Sequence, residues 1–138
     1  MAGYKYIDYK NVQRAFMLIK LNKYLEIEKI KDFAKKLSKK LKSEILYDYI
    51  FFFPSKNKDF KDFTYISILS SSHIVISSYS NDSEIILDID VAWCSNEKLD
   101  NLIIKEIAES SFGNDIRILN LKIYDYLGNV MMAFSSEQ

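Results

Sequence analysis

The chain is 138 residues long, and its nineteen basic residues balance nineteen acidic ones. A chain of that length with 49% hydrophobic residues can bury a core without metal or disulfide help, which excludes disorder and argues for a single domain over residues 1–138. Zero net charge removes the broad positive field that sequence-independent nucleic-acid binding draws upon, and the single cysteine, Cys94, excludes an intrachain disulfide framework.

No apolar stretch approaches membrane-spanning length, and Met1 to Asn11 carries Lys5, Asp8 and Lys10 among tyrosines with no apolar signal core, so a cytoplasmic protein with no membrane partner is expected. One histidine and one cysteine cannot form a soft-metal cluster, and no glycine-rich phosphate loop or dinucleotide fingerprint occurs. No nucleophile-elbow pattern surrounds any serine, which disfavours a Ser-His-Asp hydrolase.

In chain order, Arg14 to Leu21 is an apolar run with the length and composition of a buried strand. From Glu26 to Lys42, Ile27, Ile30, Ala34, Leu37 and Leu41 recur at three- and four-residue intervals, the pattern of an amphipathic helix that ends near Ser43. Lys35, Lys36, Lys39, Lys40 and Lys42 fill its opposite, solvated face. Glu44 to Phe53 is an aromatic and β-branched strand stopped by Pro54, followed by a polar, lysine-rich loop over Ser55 to Asp62.

Phe63 to Leu69 and His73 to Ser78 read as strands separated by Ser70, Ser71 and Ser72, which suit a tight connection or an irregular strand. Tyr79 to Ser83 is rich in turn formers, and Glu84 to Trp93 resumes as a long strand, making a hairpin. Asp88 and Asp90 alternate with Leu87, Ile89 and Val91, so both project from one sheet face, toward solvent or a subunit interface rather than a metal. Ser95 or Asn96 is positioned to cap a second helix in which Leu99, Leu102, Ile103 and Ile107 share a face, with Gly113 as its stop. Ile116 to Tyr124 is a further strand. Leu127 to Asn129 is a turn before Val130 to Phe134, which reads either as a last edge strand or as an apolar tail packed on the rest. This order predicts an α+β fold: a two-layer sandwich of a mainly antiparallel sheet with two helices on one face.

Between Phe63 and Cys94 the layout resembles the small prokaryotic form of S-adenosylmethionine decarboxylase, a family with pyruvoyl-dependent chemistry. Ser71-Ser72-His73 stands where that family has Glu-Ser-His, and Asp90-Val91-Ala92-Trp93-Cys94 stands for its Asp-hydrophobic-x-x-Cys. The flanking elements follow the family's order over roughly Phe16 to Ile123, with sparse identity outside the two motifs. The resemblance implies a proenzyme that splits between Ser71 and Ser72. Ser72 attacks the Ser71 carbonyl and becomes a self-generated pyruvoyl group, which forms a Schiff base with the substrate amine. Cys94 then returns a proton to the substrate. It also implies a homodimer acting on S-adenosylmethionine in polyamine (spermidine) synthesis, or on the arginine or ornithine that pyruvoyl relatives use.

Thr64 supplies a hydroxyl where the family keeps a processing serine, and Tyr79 offers a ring to stack on adenine. The chain departs from the family at Ser71, where a glutamate is usual, and at Ser77, where a histidine assists elimination. His73 is read as a hydrogen-bonded structural residue. The Ser77 departure opens an alternative, a processing-defective and inert member that serves as a regulatory partner subunit or binds a small ligand. An unrelated sandwich with a coincidental Ser-Ser-His is the third reading.

Overall fold

The computed structural model describes residues 8–56 and 59–136, so most of the N-terminal tyrosine-rich segment and two positions of the loop after Pro54 lie outside the described residues. Its elements are β1 (Val12–Leu21), α1 (Ile27–Lys40), β2 (Ile45–Phe53), β3 (Asp62–Leu69), β4 (Ser72–Ser80), β5 (Ile85–Cys94), α2 (Asn101–Phe112), β6 (Ile116–Tyr124) and β7 (Val130–Ser135). The strands form one seven-stranded sheet in the order β2-β3-β4-β5-β1-β6-β7, with every neighbouring pair antiparallel. The result is an α+β two-layer sandwich.

Alternation along the strands decides which side of the sheet is covered. Ala15, Met17, Ile19 and Leu21 of β1 are buried, as are Ile85, Leu87, Ile89 and Val91 of β5. Their register partners across the ladder share that face, because paired residues in antiparallel strands project the same way. Both helices lie on this side. Ile30, Phe33, Ala34 and Leu37 of α1 and Ile104, Ala108 and Phe112 of α2 join the strand residues in one hydrophobic cluster. The Phe33 and Phe112 rings stack at 5.2 Å and fasten the helices to each other.

Helix ends follow local chemistry. α1 stops where Lys42 takes a left-handed φ of 54°, the conformation glycine usually supplies, and the Ser43 amide donates back to the Ser38 carbonyl at 2.9 Å. The second helix starts later than its sequence suggests. Asp100, not Ser95 or Asn96, is its cap: its carboxylate accepts from the Ile103 amide at 2.8 Å. Ser95 is occupied with the Glu97 amide, which fixes a turn before the helix. Its buried residues are Ile104, Ala108, Ser111 and Phe112, while Leu102, expected on the apolar face, is 70% exposed.

Phe33 is wholly buried at the contact of both helices with the sheet. Phe33→Ala is expected to lower unfolding stability by about 3–5 kcal/mol in urea titration; a loss below about 1 kcal/mol would mean the helix pair is not anchored there.

Candidate active site

β3 and β4 are joined by only two residues, Ser70 and Ser71, since Leu69 pairs with Ser72. Such hairpins favour glycine or asparagine, because their turns need positive φ. Neither turn serine has it; the positive value falls on Ser72, at φ 156°. That is unusual for a residue with a Cβ. By tetrahedral geometry this φ swings the Ser72 Cβ to about 40° from eclipsing the Ser71 carbonyl carbon, whereas ordinary strand backbone holds it about 120° away.

The turn is tied down by hydroxyls. Ser71 Oγ donates to Ser43 Oγ at 3.0 Å, Ser43 and Ser70 hydroxyls meet at 3.1 Å, and the Ser70 and Glu44 backbones are linked by the Ser70 amide to the Glu44 carbonyl at 2.8 Å. The connection between α1 and β2 therefore holds the peptide on which the family's cleavage would fall.

Beyond Ser72, the chain runs into the His73–Ala92 register pair of β4 and β5. His73 sits on the uncovered face with Asp90. Its Nε2 lies 3.3 Å from Asp90 Oδ1, and its Nδ1 lies 3.4 Å from Ser72 Oγ. With Nε2–H directed at the carboxylate, Nδ1 is left as an acceptor facing the serine hydroxyl. Both contacts are long for hydrogen bonds.

Cys94 ends β5 two residues past Ala92, so it shares the sheet end occupied by Ser71 and Ser72. Its thiol donates to the Asp8 carbonyl at 3.4 Å. Partial burial, with the Asp8 charge adding to it, pushes the thiol above its ordinary pKa. Trp93, wholly buried, donates from Nε1 to the Glu97 carbonyl at 3.0 Å, and Gln13 Nε2 donates to the Ser95 carbonyl at 2.7 Å. These bonds hold the segment that carries Cys94 out of the sheet.

The remaining sequence candidates fall elsewhere. Thr64 and Ser77 are register partners with hydroxyls 3.0 Å apart, so the structure joins them to each other. Ser77 is five residues along β4 from Ser72, about 17 Å at strand rise, and Tyr79 is seven residues along, about 23 Å. Within one chain neither reaches the Ser72 hydroxyl. A cavity of about 600 Å³ opens instead beside Val12, the register partner of Cys94, and is lined by Arg14, Phe16 and Tyr124 among others. Among the described residues no three histidine, cysteine, aspartate or glutamate side chains are grouped to hold a metal, and no helix is long and apolar enough to cross a membrane.

A thiol held above its ordinary pKa is protonated at neutral pH and poor as a nucleophile. Cys94 is expected to alkylate with iodoacetamide at pH 7 more slowly than free cysteine, catching up only at higher pH; equal rates at pH 7 would contradict its environment. No protein-family model matches the chain, and no curated protein matches it as a relative.

Proposed function

We propose that the protein is a self-processing, pyruvoyl-dependent decarboxylase of the S-adenosylmethionine decarboxylase type, split between Ser71 and Ser72. The observation that carries this reading is the geometry at Ser72: a backbone turned so that its hydroxymethyl group swings toward the Ser71 carbonyl carbon, with a histidine nitrogen beside the hydroxyl. Attack closes a five-membered ring through Oγ, Cβ, Cα, N and the carbonyl carbon. It converts the 71–72 amide to an ester and frees the amine of residue 72. Removal of the α-proton then expels the Ser71 carboxylate, and water hydrolyses the remaining enamine to a ketone with release of ammonia.

In this chain His73 Nδ1 takes the Ser72 hydroxyl proton, and Asp90 orients the ring. That supplies a base next to the cleavage site, where Ser77 stands too far away to act. A pyruvoyl group formed from Ser72 would supply an electron sink for loss of carbon dioxide. Cys94, whose thiol is held above its ordinary pKa, returns a proton afterwards in this reading. This reading makes the protein a cytoplasmic homodimer acting on S-adenosylmethionine.

The test is intact mass under denaturing conditions for the wild type, Ser72→Ala and His73→Gln. The wild type is expected to give two fragments broken between residues 71 and 72, Ser72→Ala one whole chain, and His73→Gln cleavage slowed about 100-fold or more, the scale of a lost general base. A wild type that stays whole after long incubation ends the decarboxylase reading and leaves the inert partner subunit. Cleavage at an unchanged rate in His73→Gln removes the base assigned here.

A further inference from the structure

The helices cover one face of the sheet. On the other face, at the end where β1 begins and β6 stops, lies the cavity of about 600 Å³. Val12, Arg14 and Phe16 alternate along β1, so all three project from this face into the lining. Tyr124, the register partner of Arg14, and Tyr126 in the β6–β7 turn line it from one side, and Tyr9 lines it from the segment ahead of β1. We propose that this cavity binds an aromatic carboxylate, a flat ring system held by the tyrosines and Phe16 with its single carboxylate on Arg14.

The aromatic lining supplies the ring site. Phe16 and Tyr124 meet edge to face with centroids 5.9 Å apart, and Tyr9 and Tyr126 do the same at 5.7 Å. An edge-to-face pair uses only one ring face, so each pair keeps π-faces available to a guest ring. Tyr9, Phe16 and Tyr126 are exposed, which means that these rings are not filling a core. The volume falls within the range of small-molecule sites.

Charge sets the rest of the ligand. Among the described residues Arg14 is the one basic group of the lining, and it has neither an ion pair nor a hydrogen bond. Asp125 lines the same cavity, but its carboxylate is taken by the turn. It accepts from the Asn129 and Leu127 amides at 2.9 and 3.0 Å and from Asn129 Nδ2 at 3.3 Å. Those bonds, the Asn129 amide foremost, hold Asp125 below its ordinary pKa and therefore ionised. The cavity thus carries one free positive charge beside one committed negative charge.

A guanidinium presents paired N–H groups that match the two oxygens of a carboxylate. The fixed Asp125 charge disfavours a dianion such as a phosphate ester, which leaves a singly charged acid as the matching group. The Arg14 charge also repels the sulfonium of S-adenosylmethionine. The ligand is therefore a second one, distinct from the substrate proposed above, and its site stands whether or not the chain splits at Ser72.

Isothermal titration of the full chain with 2-naphthoate tests the proposal, on the wild type and on Ser72→Ala. Both are expected to bind it with a dissociation constant of about 1 mM or tighter, the affinity a ligand of that size reaches at ordinary efficiency. Replacing the probe by uncharged 2-naphthamide, or the protein by Arg14→Gln, is expected to weaken binding about 10- to 100-fold, the scale of a hydrogen-bonded charge pair. Lys39→Gln, in the basic cavity between the helices, is expected to bind as the wild type does. Circular dichroism checks that Arg14→Gln is folded. In case it is not, the Nε–H resonances of the two arginines in the wild type give a second reading. The Arg14 signal is expected to shift on saturation, while that of Arg117, bonded to Ser136, stays in place. Absence of saturable binding at about 10 mM probe overturns the proposal. Unchanged affinity in folded Arg14→Gln overturns it too, as does a titration that leaves the Arg14 signal unmoved.

Discussion

Burial of alternate side chains of β1 and β5 beneath α1 and α2 is the interaction on which the rest of the molecule depends. These two strands lie side by side at the middle of the sheet, and their inward residues form the floor on which Phe33, Leu37, Ile104 and Phe112 pack. Fixing the inward set of a strand also fixes its outward set, because a one-residue slip would exchange every side chain between faces. Arg14, Phe16, Asp88 and Asp90 are therefore committed to the open face by the same packing that buries Met17 and Ile89. The bare, charged and aromatic surface is a consequence of the core rather than a separate feature.

The geometry at Ser72 follows from a conflict within that frame. The β3–β4 register allows only two residues to turn the chain, and the sequence supplies two serines in place of a glycine. Ser72 takes up the awkward φ while hydroxyl contacts with Ser43 hold the turn in place. Backbone strain of this kind costs of order 1–3 kcal/mol and persists only where surrounding structure enforces it. Here the β4–β5 ladder does so, and that same ladder brings Asp90 to the ring of His73. Strain at the residue, a histidine nitrogen beside its hydroxyl and a thiol at the neighbouring strand end thus share one origin in strand pairing.

Much of the fold was legible because period-two and helical periodicities are carried by single residues. The strands at Arg14 to Leu21 and Glu84 to Trp93 and the helix from Glu26 lie within a few residues of where the alternation puts them. The start of α2 was not, since Ser95, Asn96 and Asp100 are all chemically able to cap a helix, and only the bond between Ser95 and the Glu97 amide removes the first. Ser72 and Cys94 are singled out in the sequence by motifs, and the structure puts them at the ends of two strands. Ser77 and Tyr79, five and seven residues past Ser72, lie many ångströms from it along an extended strand, and Thr64 sits opposite Ser77 on the neighbouring strand, separations that sequence position alone does not convey. The pairing of His73 with Asp90 depends on register between strands, which no local pattern in either one encodes. Arg14 and Phe16 were hidden in a run read only as a buried strand.

The central claim is that residue 72 becomes a ketone through the backbone geometry and histidine that surround its hydroxyl. Incubating the purified protein with phenylhydrazine and mapping the adduct by mass spectrometry tests it most directly. The account predicts one hydrazone on the fragment that begins at residue 72, absent from Ser72→Ala. An unlabelled, full-length wild-type chain would contradict it.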